Sequence, residues 1–335
     1  MILAMAINSR SGFDAGPLRR AARWHPAEYV FWVAPIVAYF IFPDDLALLS
    51  QMAITALFAL SLDLILGYGG IISLGHAAFF GIGAYTAGLF AMHGWPNPLF
   101  GLGAAAAVSA LAGFGASFLV LRGADLTRLM VTLGMALILY VAANQLPGVT
   151  GGLDGLQGIT VNPLLGHFEF DLYGKVAYVY SVAVLFVMFW MVRRIVHAPF
   201  GLSLVGIRQN VLRMPALGVP VHARLVAVYT IGAAVAGVAG ALLTQTTQFV
   251  SIDVLSFARS AELLLILVLG GTGTLYGAMI GAVVFMTVHH LLSDVNPQYW
   301  QFWMGAALIL VVLFARGGIV GGLLAVARRF RRRPA

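Results

Sequence analysis

The chain has 335 residues, of which 61% are hydrophobic and only 9% charged, whereas a soluble domain carries about 25% charged residues. That composition excludes an ordinary soluble enzyme and points to an integral membrane protein. The net charge of +7 raises nucleic acid as a partner, but the arginines cluster in short segments between apolar stretches, so they read as topology signals and no nucleic acid is expected. Cysteine is absent, which excludes a disulfide framework, a thiolate metal site and a cysteine nucleophile.

Residues 1–26 are polar and basic after a very short apolar start, too short for a cleavable leader; the first span is expected to act as an uncleaved anchor. Apolar stretches then recur at 28–42, 46–66, 75–92, 98–121, 126–146, 174–192, 224–245, 259–271, 275–292 and 299–315. A hydrocarbon core about 30 Å thick needs roughly 20 residues per helix. The pattern therefore predicts an all-α polytopic membrane protein of about ten spans, or eight to nine if 259–292 is read as one long helix. With the N-terminus in the cytoplasm, 17 of the 19 basic residues fall inside and only Lys175 and Arg259 outside, so both termini are expected to be cytoplasmic. The expected division is a basic cytoplasmic segment 1–26, a transmembrane domain 27–320 and a basic cytoplasmic tail 321–335.

The stretch "GYGGIISLGHAAFFGIGAY" (67–85) places six glycines in an otherwise oily run. Glycine costs about 1 kcal/mol per helix position relative to alanine, and non-helical backbone at membrane depth survives only when buried or lining a cavity. Two readings follow. Gly81, Gly83, Ala84 and Gly88 form a small face for close helix packing, or the stretch is a hinge and path element with Ser73 and His76 as polar lining. "GGIISL" (69–74) is echoed by "GGTGTL" (270–275), which adds Gly70, Gly271 and Thr274 to the candidate path or hinge positions. Asp63 is the one carboxylate well inside a predicted span; it invites a functional reading, but its nearness to Gly67 favours pairing with an interfacial arginine or with amides of the following turn.

Segment 193–223 is the long charged loop on the inner side. Within it Leu204, Ile207, Val211 and Met214 follow helical spacing, Arg208 and Arg213 fall off that stripe, and Gly218 closes the segment. An amphipathic helix of this kind lies on lipid headgroups or docks a soluble partner. No zinc-type HExxH pattern, paired carboxylates or nucleophile elbow occurs, so no catalytic residue and no metal site is expected. The sole lysine, Lys175, is followed by Val176, so the chain has no P-loop and needs no cofactor of its own.

These residues resemble a known family. "LSLDLILGYGGIISLGHAAFFGIGAYTAGL", "VTGGLDGLQGI" (149–159), "GIRQNVLRMPALGV" (206–219), "IGAAVAGVAGALL" (231–243) and "LVLGGTGTLYGAMIGAVV" (267–284) are similar, in order and over about 45–320, to LivM-type branched-chain amino acid permeases, the membrane subunits of ABC importers. The resemblance implies a multi-pass protein of the bacterial inner membrane that pairs with a LivH-like permease, two ABC ATPase subunits and an extracytoplasmic substrate-binding protein. ATP would be used by the partner subunits. It also implies that the segment about 197–223 couples to the ATPase, with Gly201, Leu204, Ile207, Arg208, Val211, Ala216, Leu217 and Gly218 as the coupling positions. Related permeases with the same signature carry urea or short amides, which stands as the alternative substrate class. An ion-coupled secondary transporter is the other alternative, although it would normally show several intramembrane charges.

Overall fold

The computed structural model describes residues 26–123, 125–164, 166–168 and 174–295, with scattered positions between 299 and 322. Among the described residues ten helices of eleven residues or more follow in order, besides one short turn of helix at Pro147–Thr150: α1 (Pro26–Ile41), α2 (Leu46–Leu62), α3 (Ala77–Met92), α4 (Pro98–Val120), α5 (Asp125–Gln145), α6 (Lys175–Val196), α7 (Pro199–Gln209), α8 (Val221–Thr247), α9 (Phe257–Gly270) and α10 (Leu275–Val295). No strand occurs among the described residues, only the isolated bridges Leu156–Val250 and Leu164–Phe168. Among the described residues six segments are long and apolar enough to cross a membrane: α2 with its continuation to Tyr68, α4, α5, α6, α8 and α10. The protein is thus an all-helical, multi-pass membrane protein.

Nine of the ten expected spans coincide with helices. The segment 259–292 is broken at Gly271–Thr274, so the single-helix reading of it fails. The tenth expected span, 299–315, and both basic termini lie largely outside the described residues.

Local chemistry sets the helix starts. Asn97 accepts a hydrogen bond from Leu99 N at 3.0 Å with Pro98 in the first turn, Ser256 accepts from Arg259 N at 3.2 Å, and α7 opens on Pro199. The centre of the bundle is α2 and α8, whose most apolar windows are 83% and 78% buried, while α4 and α5 reach only 22% and 17% and form the periphery.

Packing at the centre runs through small residues. A Cβ on Gly83 would meet the backbone of Gly237, one on Gly240 the carbonyl of Phe80, and one on Gly113 the methyl of Ala233. Ser109 Oγ donates to Phe79 O at 3.1 Å and Thr244 Oγ1 to Ala84 O at 3.0 Å, which stitches α3, α4 and α8 where the backbones approach. Gly81 differs, because a Cβ there meets the side chain of Leu255, which can move. Gly83→Leu is therefore expected to destabilise by about 1–3 kcal/mol through overpacking, with Gly81→Ala much milder and Leu89→Ala as control, read by thermal unfolding of the purified protein.

The helix ends sort into two groups. At one end Gly174 packs against Ala47, Tyr180 donates to Gln245 Oε1 at 2.8 Å and Gln245 Nε2 donates to Pro98 O at 2.8 Å; the described part of the polar segment 146–174 lies here. At the other end Phe118 approaches His222, and Arg193 of α6 pairs with Glu28 of α1 at 2.8 Å. Arg122, Arg193, Arg194, Arg208, Arg213 and Arg224 gather at this second, charged end. Both side chains of the Arg193–Glu28 pair are well covered, at 7% and 18% exposure, so Arg193→Ala leaves a shielded carboxylate without its main counter-charge. The expected cost is about 3 kcal/mol, visible as earlier thermal unfolding, and Glu28→Ala should match it.

Candidate functional site

At the charged end α2 does not stop at Leu62 but continues as a π-helical turn, Asp63–Tyr68. Wide turns of this kind are frequent at functional positions. Asp63 is fully buried, and its Oδ1 accepts a hydrogen bond from Gly273 N at 2.6 Å. The π turn that leads into the first glycine pair and the second glycine turn, 210 residues apart at this bond, therefore meet in space. The second glycine of each pair also has a positive φ, +69° at Gly70 and +110° at Gly271, where a side chain is strained. Thr274 Oγ1 closes its own turn by donating to Gly271 O at 2.8 Å.

Arg208, from the last turn of α7, reaches between the two turns. Its Nη1 donates to the carbonyl of Gly67, its side chain lies against Gly70, and a Cβ on Gly273 would stand 3.0 Å from Nη1. The guanidinium charge also acts on Asp63. Glycine is required at 67 because a Cβ there would strike both the Asp63 carboxylate and Gly273 N. Asp63 was expected to pair with an interfacial arginine or with amides of the turn that follows it; its hydrogen bond comes instead from Gly273 N in the distant second turn, with Arg208 alongside.

Between the π turn and α3 the backbone is irregular over 69–76, and side chains supply what helix geometry does not. Thr132 Oγ1 accepts from Leu74 N at 3.2 Å, Ser73 Oγ from Gly75 N at 3.4 Å and Ser260 Oγ from Ala77 N at 3.0 Å. Such irregular backbone is tolerated at membrane depth because it is enclosed by protein. Ser73 and His76, the expected polar lining, are both buried within this chain, at 1% and 0% exposure. His76 Nε2 is hydrogen-bonded to Ser61 Oγ at 2.8 Å and its ring stacks on Phe58, while Nδ1 has no partner. Gly81 and Gly83 belong to the packing described above and do not touch the Arg208 cluster.

The α7 segment also departs from expectation. Leu204 and Ile207 are 0% and 1% exposed, so this half of the apolar stripe faces the chain's own core and offers nothing to a partner. Gly201 is buried too, packed onto the carbonyl of Val196, and Met214 folds back over Gly206. After α7 the chain turns through Pro215–Leu217 to a left-handed Gly218, where Val219 N donates to Met214 O at 3.2 Å. The apolar groups left in the open are Val211, Leu212 and Leu217, at 52%, 90% and 75% exposure, with Ala216 and Arg213 also exposed. Arg208 was expected among the coupling positions but not as a bridge, and neither Gly67 as its acceptor nor Leu212, the most exposed leucine among the described residues, was singled out from sequence.

The geometry is that of a membrane bundle whose amphipathic element is latched by one arginine to two turns at its charged end. A family profile described as the permease component of the branched-chain amino acid transport system matches residues 46–313. The LivM high-affinity branched-chain amino acid transport system permease protein of Salmonella typhimurium (strain LT2) is 30% identical over 304 residues, covering 82% of this chain and 69% of the relative. LivM of Escherichia coli K12 is 28% identical with the same coverage, and BraD of Pseudomonas aeruginosa PAO1 is 28% identical, covering 79% of this chain and 91% of the relative. No solved structure matches the chain. The match takes in both glycine turns, the π turn, α7 and the packed core, and the chain belongs to the family of branched-chain amino acid transport system permease components.

Proposed function

We propose that this chain is the membrane-spanning permease subunit of an ABC importer that moves leucine, isoleucine and valine across the bacterial inner membrane, with ATP hydrolysed in separate subunits. The observation that carries the mechanism is the Arg208 latch. In this reading the transmembrane domain 27–320 lies with its charged end in the cytoplasm, since the arginines gather there and positive charge marks the inner side; segment 1–26 and tail 321–335 are cytoplasmic. The chain pairs with a LivH-like permease, receives substrate from an extracytoplasmic binding protein, and presents 197–223 to one of two ATPase subunits. It holds no cofactor itself.

Displacement of α7 by the ATPase pulls on Gly67 O through Arg208, and the Asp63–Gly273 bond carries the displacement to the turn between α9 and α10. The ends of three helices then move together as a body, as packed bundles do when they shift between discrete states. Glycine contacts between α3, α4 and α8 allow the sliding that follows. The substrate assignment is tested by uptake in a strain without its own branched-chain systems, expressing this chain with the subunits encoded beside it. Labelled leucine uptake should be competed by isoleucine and valine and untouched by urea or acetamide; competition by urea alone would move the assignment to the amide class.

A further inference from the structure

At the end opposite the Arg208 latch, the first half of α2, the last turns of α8 and α10 and the start of α9 enclose a cavity of about 320 Å³, at the small end of the range for small-molecule sites. One wall carries Arg259 and Glu262, whose side chains pair across one turn of α9 at 3.3 Å and are 38% and 36% exposed. Gln51 and Thr55 of α2 add polar groups, and Leu243, Phe285 and Met286 form an apolar wall. His289 and His290 close the rim, with His290 3.6 Å from Asp294. From sequence Arg259 was only a charge on the outer side; its place in a cavity with an acid gives it chemistry.

We propose that this cavity is a binding site for a zwitterionic aliphatic α-amino acid, with its carboxylate on Arg259, its ammonium on Glu262 and its side chain against Phe285 and Met286. The proposal rests on the branched-chain permease reading and names a place in this chain where the substrate is held. An exposed ion pair three residues apart contributes little to stability, so it opens easily. A ligand with one charge would satisfy one member and leave the other unpaired, whereas a zwitterion exchanges one internal pair for two new ones. Arginine favours the carboxylate because its planar fork binds both oxygens. Three of the four helices that wall the cavity, α2, α9 and α10, have their opposite ends joined by Asp63, Gly273 and Arg208, so a motion at α7 reaches the site along rigid elements.

The test uses the full chain in nanodiscs of phosphatidylcholine, with saturation-transfer NMR to detect weak binding. L-Leucine should bind saturably, and 4-methylpentanoate and 3-methylbutylamine, each with one charge, at least tenfold more weakly. Arg259→Gln and Glu262→Gln should each weaken leucine binding at least tenfold at unchanged thermal unfolding. Equal binding of the one-charge analogues overturns the proposal, as does unaltered leucine binding in both folded variants; if the variants misfold, the analogue series decides. A zwitterionic lipid headgroup shares this chemistry, and binding of phosphatidylethanolamine with no leucine binding in phosphatidylcholine would overturn it in favour of lipid. Leucine uptake by the assembled transporter without binding here sinks the site and leaves the permease reading standing, while binding here without branched-chain uptake sinks that reading and keeps the site.

Discussion

Changing Leu212 and Leu217 together to aspartate should release the ATPase from the membrane complex while the permease still inserts and unfolds at its normal temperature. These leucines are 90% and 75% exposed, and neither supports the chain's own core. If they fill an apolar groove on the ATPase, each aspartate buries an unpaired charge there, and the pair should cost roughly 2–4 kcal/mol of association or more. Affinity purification through the permease measures the recovered ATPase. Recovery at the wild-type level would mean that 211–217 lies on headgroups. Ile207→Asp, by contrast, should fail at the level of folding, since Ile207 is buried inside the chain.

Arg208→Ala should leave the ATPase bound yet lower leucine uptake at least tenfold. The change removes a charge-assisted hydrogen bond worth about 1.5–3 kcal/mol, frees α7 from Gly67, and takes the positive charge away from buried Asp63. Asp63→Leu should act in the same direction because Gly273 N loses its acceptor, whereas Asp63→Asn keeps an acceptor oxygen and should retain more transport. Pulldown and uptake on matched membranes separate the outcomes. Uptake near wild type in Arg208→Ala would show that the latch is only a packing contact.

The helices were legible because each crossing demands a long apolar run, and nine of these runs ended within a few residues of the observed bounds. The π turn was not: "DLILGY" has the composition of an ordinary helix end, and one extra residue per turn leaves no trace in periodicity. Leu204 and Ile207 illustrate a different limit. Their spacing correctly marks a buried face, but spacing does not tell whether the chain or a partner covers it. Gly83 was visible as a small residue and Gly237 as its partner was not, because sequence order says nothing about which backbones touch. The glycine echo at 69–74 and 270–275 pointed near the two turns that meet, and Asp63 stood out as a carboxylate inside an apolar span, yet its partners, the Gly273 amide and the Arg208 bridge to the Gly67 carbonyl, have no pattern of their own. Arg259 and Glu262 stood three residues apart in plain sight; what made them a site was the cavity contributed by α2, α8 and α10.

The central claim is that ATP hydrolysed elsewhere drives an amino acid through this chain. It is tested most directly by proteoliposomes that hold the purified transporter, with the binding protein and labelled leucine on one side and ATP on the ATPase side. Accumulation should require ATP, this chain and the binding protein together, and should persist when proton and sodium gradients are collapsed. Leucine accumulation driven by an ion gradient without ATP, or undiminished when this chain is left out, would contradict the account.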